Sequence, residues 1–328
     1  MTVGIIVPTY NSGAFLLRAL DSISRQERLP DEVLLVDDGS SDDTVALSTA
    51  WASKQPFAVY LLQNTTAHDP SAGRGPAAGR QTGLRAASAD LLALLDHDDE
   101  MLPEHLRWTA SAMEAQPELT LCFGDAVERF ASGREQRLLS ESAISLLSFT
   151  EQADGLRLIT EPFLPAMVPG SRIATAANLW RRDAALNIGG FDVRAGTCDD
   201  WLFFVSLATR GRVAYFTTPI AKKYAHDGNL SHPRNAVRSA HNGFAALTLF
   251  LESPLVREIS ATEVALLETQ RDNFAHSLFY EASRWGIQSL LRWQRNGPHT
   301  HRPAVRDWLR ATLVSLRVIQ SPLSGQQS

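Results

Sequence analysis

Only two cysteines, Cys122 and Cys198, occur in 328 residues. They have neither metal-ligand spacing nor the density of a disulfide scaffold, so a reducing cytoplasm is the expected setting. No apolar run approaches the roughly 20 residues that a bilayer crossing requires. The opening "MTVGIIVPTYNS" has no basic leader, and its short apolar run ends at Pro8. It predicts a first β-strand rather than a signal peptide, in a soluble chain whose membrane contact would be peripheral, at the inner face. A Gly-rich basic loop, the phosphate cradle expected of an enzyme that makes sugar nucleotides, is also missing after that strand; "VPTYNSG" stands there instead. The net charge of −5 and a pI near 6.0 exclude broad, non-specific nucleic-acid binding.

What is present is ordinary for a globular protein: 44% hydrophobic and 20% charged residues. Strand-like and helix-like segments alternate through the first hundred residues. "VGIIVP", "DEVLLVDD", "FAVYLLQ" and "DLLALLD" are short, nearly continuous apolar runs, the pattern of strands buried on both faces. Between them, "GAFLLRALDSISRQ" and "GPAAGRQTGLRAASA" carry apolar residues at helical spacing, the first behind a Ser12 N-cap. This alternation predicts an α/β fold with a mainly parallel, Rossmann-like central sheet flanked by helices. Further strands are expected at "LTLCFGDAVERF" and "RVAYFTT", and a helix through "CDDWLFFVSLATRG". After about residue 232 the chain reads as a mostly helical C-terminal extension, fraying into "SPLSGQQS". The expected division is therefore 1–232, with halves of about 1–102 and 103–232, and 233–328.

Ligands of such sheets bind beyond the carboxyl ends of the strands. The residues there are Pro8, Thr9, Tyr10 and Asn11; Asp37 and Asp38; and the acidic run in "LLDHDDEMLP" with Asp96, Asp98, Asp99 and Glu100. Carboxylates packed this closely repel unless a cation or water separates them. Taken alone, the run reads equally as a solvated acidic turn ahead of a helix.

These blocks, with "LWRRDAALNIGGFD", "CDDWLFFVSLATRG" and "KKYAHDGNLS", stand in the order of glycosyltransferase family 2, which the chain resembles over about residues 1–235. Three departures stand out. Gly79-Arg80-Gln81 replaces the usual Ala-Arg-Asn, Asp199-Asp200 replaces Glu-Asp, and the basic residue before His226 is displaced to Lys222 or Lys223.

The resemblance implies a GT-A fold and a metal-dependent, inverting transfer of a sugar from a nucleoside-diphosphate donor of the UDP-sugar class. The acceptor would be a saccharide or lipid-linked, as in bacterial surface polysaccharide or glycoconjugate synthesis. A non-catalytic nucleotide-sugar binder or scaffold of the same fold is the alternative. It further implies that Pro8, Thr9, Tyr10 and Asn11 line the base pocket, with Tyr10 stacked on the pyrimidine and Asp38 accepting from the uracil N–H. Asp98 would hold Mn²⁺ or Mg²⁺, with His226 as a third ligand, a diphosphate contact or merely a structural residue. Asp96 would reach the ribose or the metal through water, and Asp99 would support it or cap the next helix. Arg80 would pair with Asp38, meet the diphosphate, or form a surface ion pair. Asp200 would be the general base, with Asp199 capping the helix. Gly189 and Gly190 would form the acceptor-side turn, and Trp180 and Trp201 would either stack on a sugar or join the core. In the C-terminal third, Trp285, Trp293 and Trp308 lie among six arginines. That region would contact an anionic membrane surface, pair two copies of the chain, or simply pack helix on helix.

Overall fold

The structure is a computed structural model that describes residues 1–64, 76–140, 142–168, 170, 172–230, 232–316, 319 and 321. The chain divides into two compact units, Met1–His226 and Asp227–Ser328. This boundary falls six residues before the expected one, directly where the last strand of the sheet ends.

The first unit opens with β1 (Val3–Thr9), α1 (Leu16–Ser24), β2 (Glu32–Asp37), α2 (Thr44–Ala52), β3 (Ala58–Gln63), α3 (Ala77–Ala86) and β4 (Leu91–Leu94). These four strands run parallel in the order β3-β2-β1-β4. Next come β5 (Glu100–Met101), α4 (His105–Ala115), β6 (Leu119–Phe130), β7 (Glu135–Arg137), β8 (Phe149–Glu151), β9 (Leu156–Ile159) and α5 (Leu164–Met167). The unit closes with β10 (Asn178–Arg181), α6 (Arg182–Asn187), α7 (Asp199–Ala208) and β11 (Arg212–Ala225). The sheet continues β4-β10-β6-β11-β9-β8, with β10 antiparallel to both neighbours and β6 parallel to β11. It is thus mixed and mostly parallel in the half that begins the chain.

Side-chain alternation sorts the core into two layers. Ile5, Val7, Val33, Leu35 and Ala93 pack with Leu16, Leu20 and Ile23 of α1, Trp51 of α2 and Leu106 of α4. On the opposite face Ile6 meets α3 so closely that a Cβ on Gly83 would stand 2.5 Å from an Ile6 methyl. Coverage of both faces explains why β1 is a continuous apolar run, every residue of it buried.

Ser12 is not the N-cap of α1: the helix begins four residues later, after Phe15, with no side-chain cap. The Ser12 hydroxyl instead accepts the Tyr10 N–H at 3.0 Å, and its own N–H donates to Thr44 at 2.7 Å. A non-local partner replaced the local cap that the sequence offered.

The second unit holds α8 (Ala236–Glu252), α9 (Ala261–Ser283), α10 (Ile287–Asn296) and α11 (Val305–Ser315). Phe279, Ala282, Leu290 and Ala311 form its small core, with Trp293 and Trp308 packed against them. No helix among the described residues is long and apolar enough to cross a membrane. Residues 322–328, the expected frayed tail, lie outside the described residues.

Glu32 ties α3 to the sheet. Its buried carboxylate accepts the N–H groups of Ser88 and Ala89 at 2.7 Å and the Ser88 hydroxyl at 2.8 Å, just past the helix end. Glu32→Ala leaves the buried Ala89 N–H and the part-buried Ser88 N–H unpaired, and we expect it to cost about 2 kcal/mol, read as a lower urea midpoint at unchanged slope. Glu32→Gln, which keeps one acceptor oxygen, should cost less.

Candidate active site

The parallel register sets the carboxyl ends of β1, β2 and β4 side by side. Pro8 and Thr9 are buried at the end of β1. Tyr10, 37% exposed, and Asn11 follow at the rim. Asn11 adopts a left-handed φ of 46° and accepts the Ser41 N–H at 2.8 Å, which locks the first loop to the second. Asp37 is occupied by its own turn, accepting from Gly39, Ser40 N–H and the Ser40 hydroxyl. Asp38, beside it, accepts from Asn64 Nδ2 at 3.0 Å.

The acidic run is pinned by pairing far along the chain. Two-residue β5 pairs antiparallel with β11, placing Lys222 opposite Glu100. Continuing past that ladder, β11 delivers His226 to Asp98, with Nε2 3.0 Å from Oδ2. His226 also stacks on Phe15, ring centroids 4.7 Å apart. Asp99 does not cap α4, which starts after Glu104; it is buried and accepts the Tyr224 N–H at 3.1 Å. Burial first, then Asp98 and Asp96, push the Asp99 carboxyl well above the ordinary range.

Two further residues hold this loop, and neither was among the expected site residues. Arg18 of α1 donates to the Asp98 carbonyl O at 2.6 Å, lies 3.4 Å from Glu100 and stacks on the Tyr224 ring at 3.7 Å. Tyr224 in turn donates to Glu100 at 2.9 Å. In the sequence Arg18 is a polar position of an amphipathic helix, and no local pattern marks it. Tyr224 could have been found, because it sits two residues before His226.

The residues fit a divalent cation held in an open site. His226 Nε2 and Asp98 Oδ2 are hydrogen-bonded to one another at 3.0 Å, and an imidazole nitrogen beside a carboxylate oxygen is a donor set that suits Mn²⁺ or Mg²⁺. Among the described residues no three His, Cys, Asp or Glu side chains form a metal cage. The remaining positions of such an ion would therefore fall to water and to phosphate oxygens.

Arg80 corrects an expectation. It reaches neither Asp38 nor the surface: 3% exposed, it donates from Nη2 to Asp96 and from Nη1 to Asp199, each at 2.8 Å. Asp96 also accepts the Thr175 hydroxyl at 2.6 Å. Burial opposes the Asp96 charge, but Arg80 and Thr175 outweigh it and hold this carboxyl below the usual range. Asp199 is therefore no surface helix cap. Its second oxygen is buried without a hydrogen-bond partner among the described residues, and burial together with the Asp200 charge pushes it up to about 6 against the pull of Arg80. Asp200 follows at the start of α7, half-buried, one oxygen accepting the Trp201 N–H at 2.7 Å. Burial raises its pKa as well.

The remaining acceptor-side residues turn inward. Trp180 is fully buried, edge-on to Phe203 at 4.9 Å, and donates to Asn178; it belongs to the core and offers no face to a sugar. Trp201, 7% exposed, donates to the Met167 carbonyl O and anchors α7. Gly189 and Gly190 do form a tight turn, with φ of 89° and 78°. Their close approach is to α3: Gln81 donates to the Gly189 carbonyl O and accepts the Phe191 N–H, and a Cβ on Gly190 would meet Gln81 at 2.1 Å.

The profile of glycosyl transferase family 2 matches residues 4–167, half of the chain. The chain belongs to that family. Among relatives, the uncharacterized glycosyltransferase YwdF of Bacillus subtilis is 27% identical over 214 residues, covering 65% of this chain and 70% of that one. The succinoglycan biosynthesis protein ExoO of Rhizobium meliloti is 32% identical over 146 residues, covering 44% and 39%. Among solved structures, residues 1–349 of Staphylococcus aureus TarS superpose with a TM-score of 0.60 at 17% identity, over 97% of this chain and 83% of that one. The same fragment with UDP-GlcNAc gives 0.57 at 18%, over 85% and 73%. The mannosyltransferase PcManGT of Pyrobaculum calidifontis, in complex with GDP-Man and Mn²⁺, gives 0.53 at 18%, over 97% and 88%. These are GT-A folds, and the mixed, mostly parallel sheet of this family 2 chain is the same architecture.

Replacing Arg80 by Met leaves Asp96 and Asp199 without their cation, which we expect to cost about 3 kcal/mol at neutral pH. The pH dependence has a definite sign. Without Arg80 both folded-state pKa values lie above the unfolded ones, so the variant loses stability as pH rises through them. The wild type keeps the stability that the depressed Asp96 contributes above its unfolded pKa. The deficit, measured by urea unfolding, should be small near pH 4 and grow toward pH 7.

Proposed function

We propose that this chain is a metal-dependent, inverting glycosyltransferase that moves a sugar from a UDP-sugar to a saccharide or lipid-linked acceptor, in bacterial surface polysaccharide or glycoconjugate synthesis. The observation that carries the reading is the bridge made by Arg80 between Asp96, beside the Asp98–His226 pair, and Asp199, beside Asp200. It supports the reading because one buried cation links the neighbours of the residues assigned to the metal and of the residue assigned as base. The relatives support the setting, since one is named for succinoglycan biosynthesis and one solved neighbour carries UDP-GlcNAc.

In this reading Tyr10 and Asp38 take the base at the ends of β1 and β2, and Asn11 holds the first loop against the second. Asp98 and His226 would hold Mn²⁺ or Mg²⁺, which supplies Lewis-acid stabilisation of the departing diphosphate. Asp200 takes the proton from the acceptor hydroxyl as its oxygen bonds to the anomeric carbon. The electron pair of the breaking C–O bond leaves on the terminal phosphate of the nucleoside diphosphate. One direct displacement from the opposite face inverts the anomeric centre, and no glycosyl-enzyme intermediate is required. Arg80 holds Asp96 ionised beside the metal site, and its charge limits how far the Asp200 pKa rises.

Calorimetric titration with nucleoside diphosphates, with and without Mn²⁺, tests this directly. UDP should bind only when Mn²⁺ is present, and Asp98→Ala should abolish that binding. Asp200→Asn should keep UDP binding while lowering kcat by roughly 10²–10⁴. A base works deprotonated, so kcat should fall as pH drops through the raised Asp200 pKa, at a higher pH than an ordinary carboxylate would give. Metal-independent UDP binding, or transfer undiminished in Asp200→Asn, would refute the assignment.

A further inference from the structure

The last helix of the second unit carries an apolar stripe that nothing described covers. Of the five described large apolar side chains more than half exposed, three lie on α11 or at its C-terminal cap: Val305 at 85%, Leu309 at 61% and Leu316 at 68%. Their spacing of four and seven residues sets them within about 40° of one another around the helix. Trp308 and Ala311 occupy the other side, packed into the small core with Trp293. Trp293 and Trp308 therefore serve the fold, and different residues make the outward face.

The charge of the segment that carries this stripe is one-sided. From Arg284 to Ser328 the sequence holds seven arginines and a single acidic residue, Asp307, in a chain whose net charge is −5. Asp307 is buried, capping α11 and pairing with Arg310, so it does not offset the surface. Arg284 pairs with Glu281. Arg292, Arg295, Arg302 and Arg306 are exposed, and none makes an ion pair among the described residues. Arg306 follows Val305 directly, on the flank of the stripe that faces away from the core.

An exposed apolar ridge bordered by arginines unpaired among the described residues has the chemistry of a helix that lies in a membrane interface: its apolar side chains enter the acyl boundary and its cations meet lipid phosphates. A protein partner would have to supply both a groove and a dense acidic rim, whereas an anionic bilayer supplies both at once. We propose that α11 docks this enzyme on an anionic lipid surface, with Val305, Leu309 and Leu316 inserted and Arg302 and Arg306 at the headgroups. Docking of this kind stands apart from the transfer chemistry, and its test reads no transfer.

Full-length protein is centrifuged with vesicles of phosphatidylcholine alone or with about one-third phosphatidylglycerol. Binding is expected only to the anionic vesicles, weakening as salt rises. V305D/L309D should abolish it. R302Q/R306Q should weaken it by about fivefold per arginine and flatten the salt dependence. All four residues are exposed and outside the sugar-transfer site, so both variants should fold and bind UDP as the wild type does. Equal binding to both vesicle types, or none to either, overturns the proposal. A concentration-dependent dimer in sedimentation velocity that V305D/L309D dissolves, without vesicle binding by the wild type, would overturn it in favour of self-association.

Discussion

One buried guanidinium organises the first unit. Arg80 leaves α3 and divides its two terminal nitrogens between Asp96, at the end of β4, and Asp199, at the start of α7. Those carboxylates are 103 residues apart in sequence. Arginine suits the position because its planar fork presents two donors in fixed directions, where lysine would offer a point charge. A buried ion pair contributes little net stability compared with apolar packing, because both charges lose their hydration. We read its value here as positional: it sets the distance between the strand end that carries Asp98 and the helix that carries Asp200.

The same cation produces opposite outcomes on its two partners. Asp96 also accepts from Thr175 and stays below the ordinary carboxylate range, so it remains charged at neutral pH. Asp199 sits deeper, with one oxygen unpartnered among the described residues and Asp200 adjacent, and is raised despite the shared arginine. Burial decides the second case and pairing decides the first. A second anchor works by different means: Arg18, Tyr224 and Glu100 fasten the Asp98 loop to α1 and to the end of β11.

Much of this was legible from sequence where the signal was local. The four parallel strands announced themselves as apolar runs because helices cover both faces, and the residues beyond them were correctly placed along one sheet edge. What was not legible depends on distant pairing. Two-residue β5 has no periodicity to read, yet it brings His226 to Asp98. Ser12 looked like a helix cap but finds Thr44 instead. Arg80 looked free to choose among Asp38, a phosphate and solvent, since nothing nearby in sequence reveals Asp199 as its partner. Trp180 and Trp201 were ambiguous by residue type alone, because a large aromatic suits both a sugar and a core, and burial decides between them.

A double-mutant cycle on unfolding free energy, using Arg80→Met, Asp199→Asn and the pair together, tests whether these two residues act as one unit. The account predicts a coupling of about 2 kcal/mol or more at pH 7, because removing either partner already strands the other. Effects that add to within about 0.5 kcal/mol would contradict it, and would leave the end of β4 and the start of α7 without the link described.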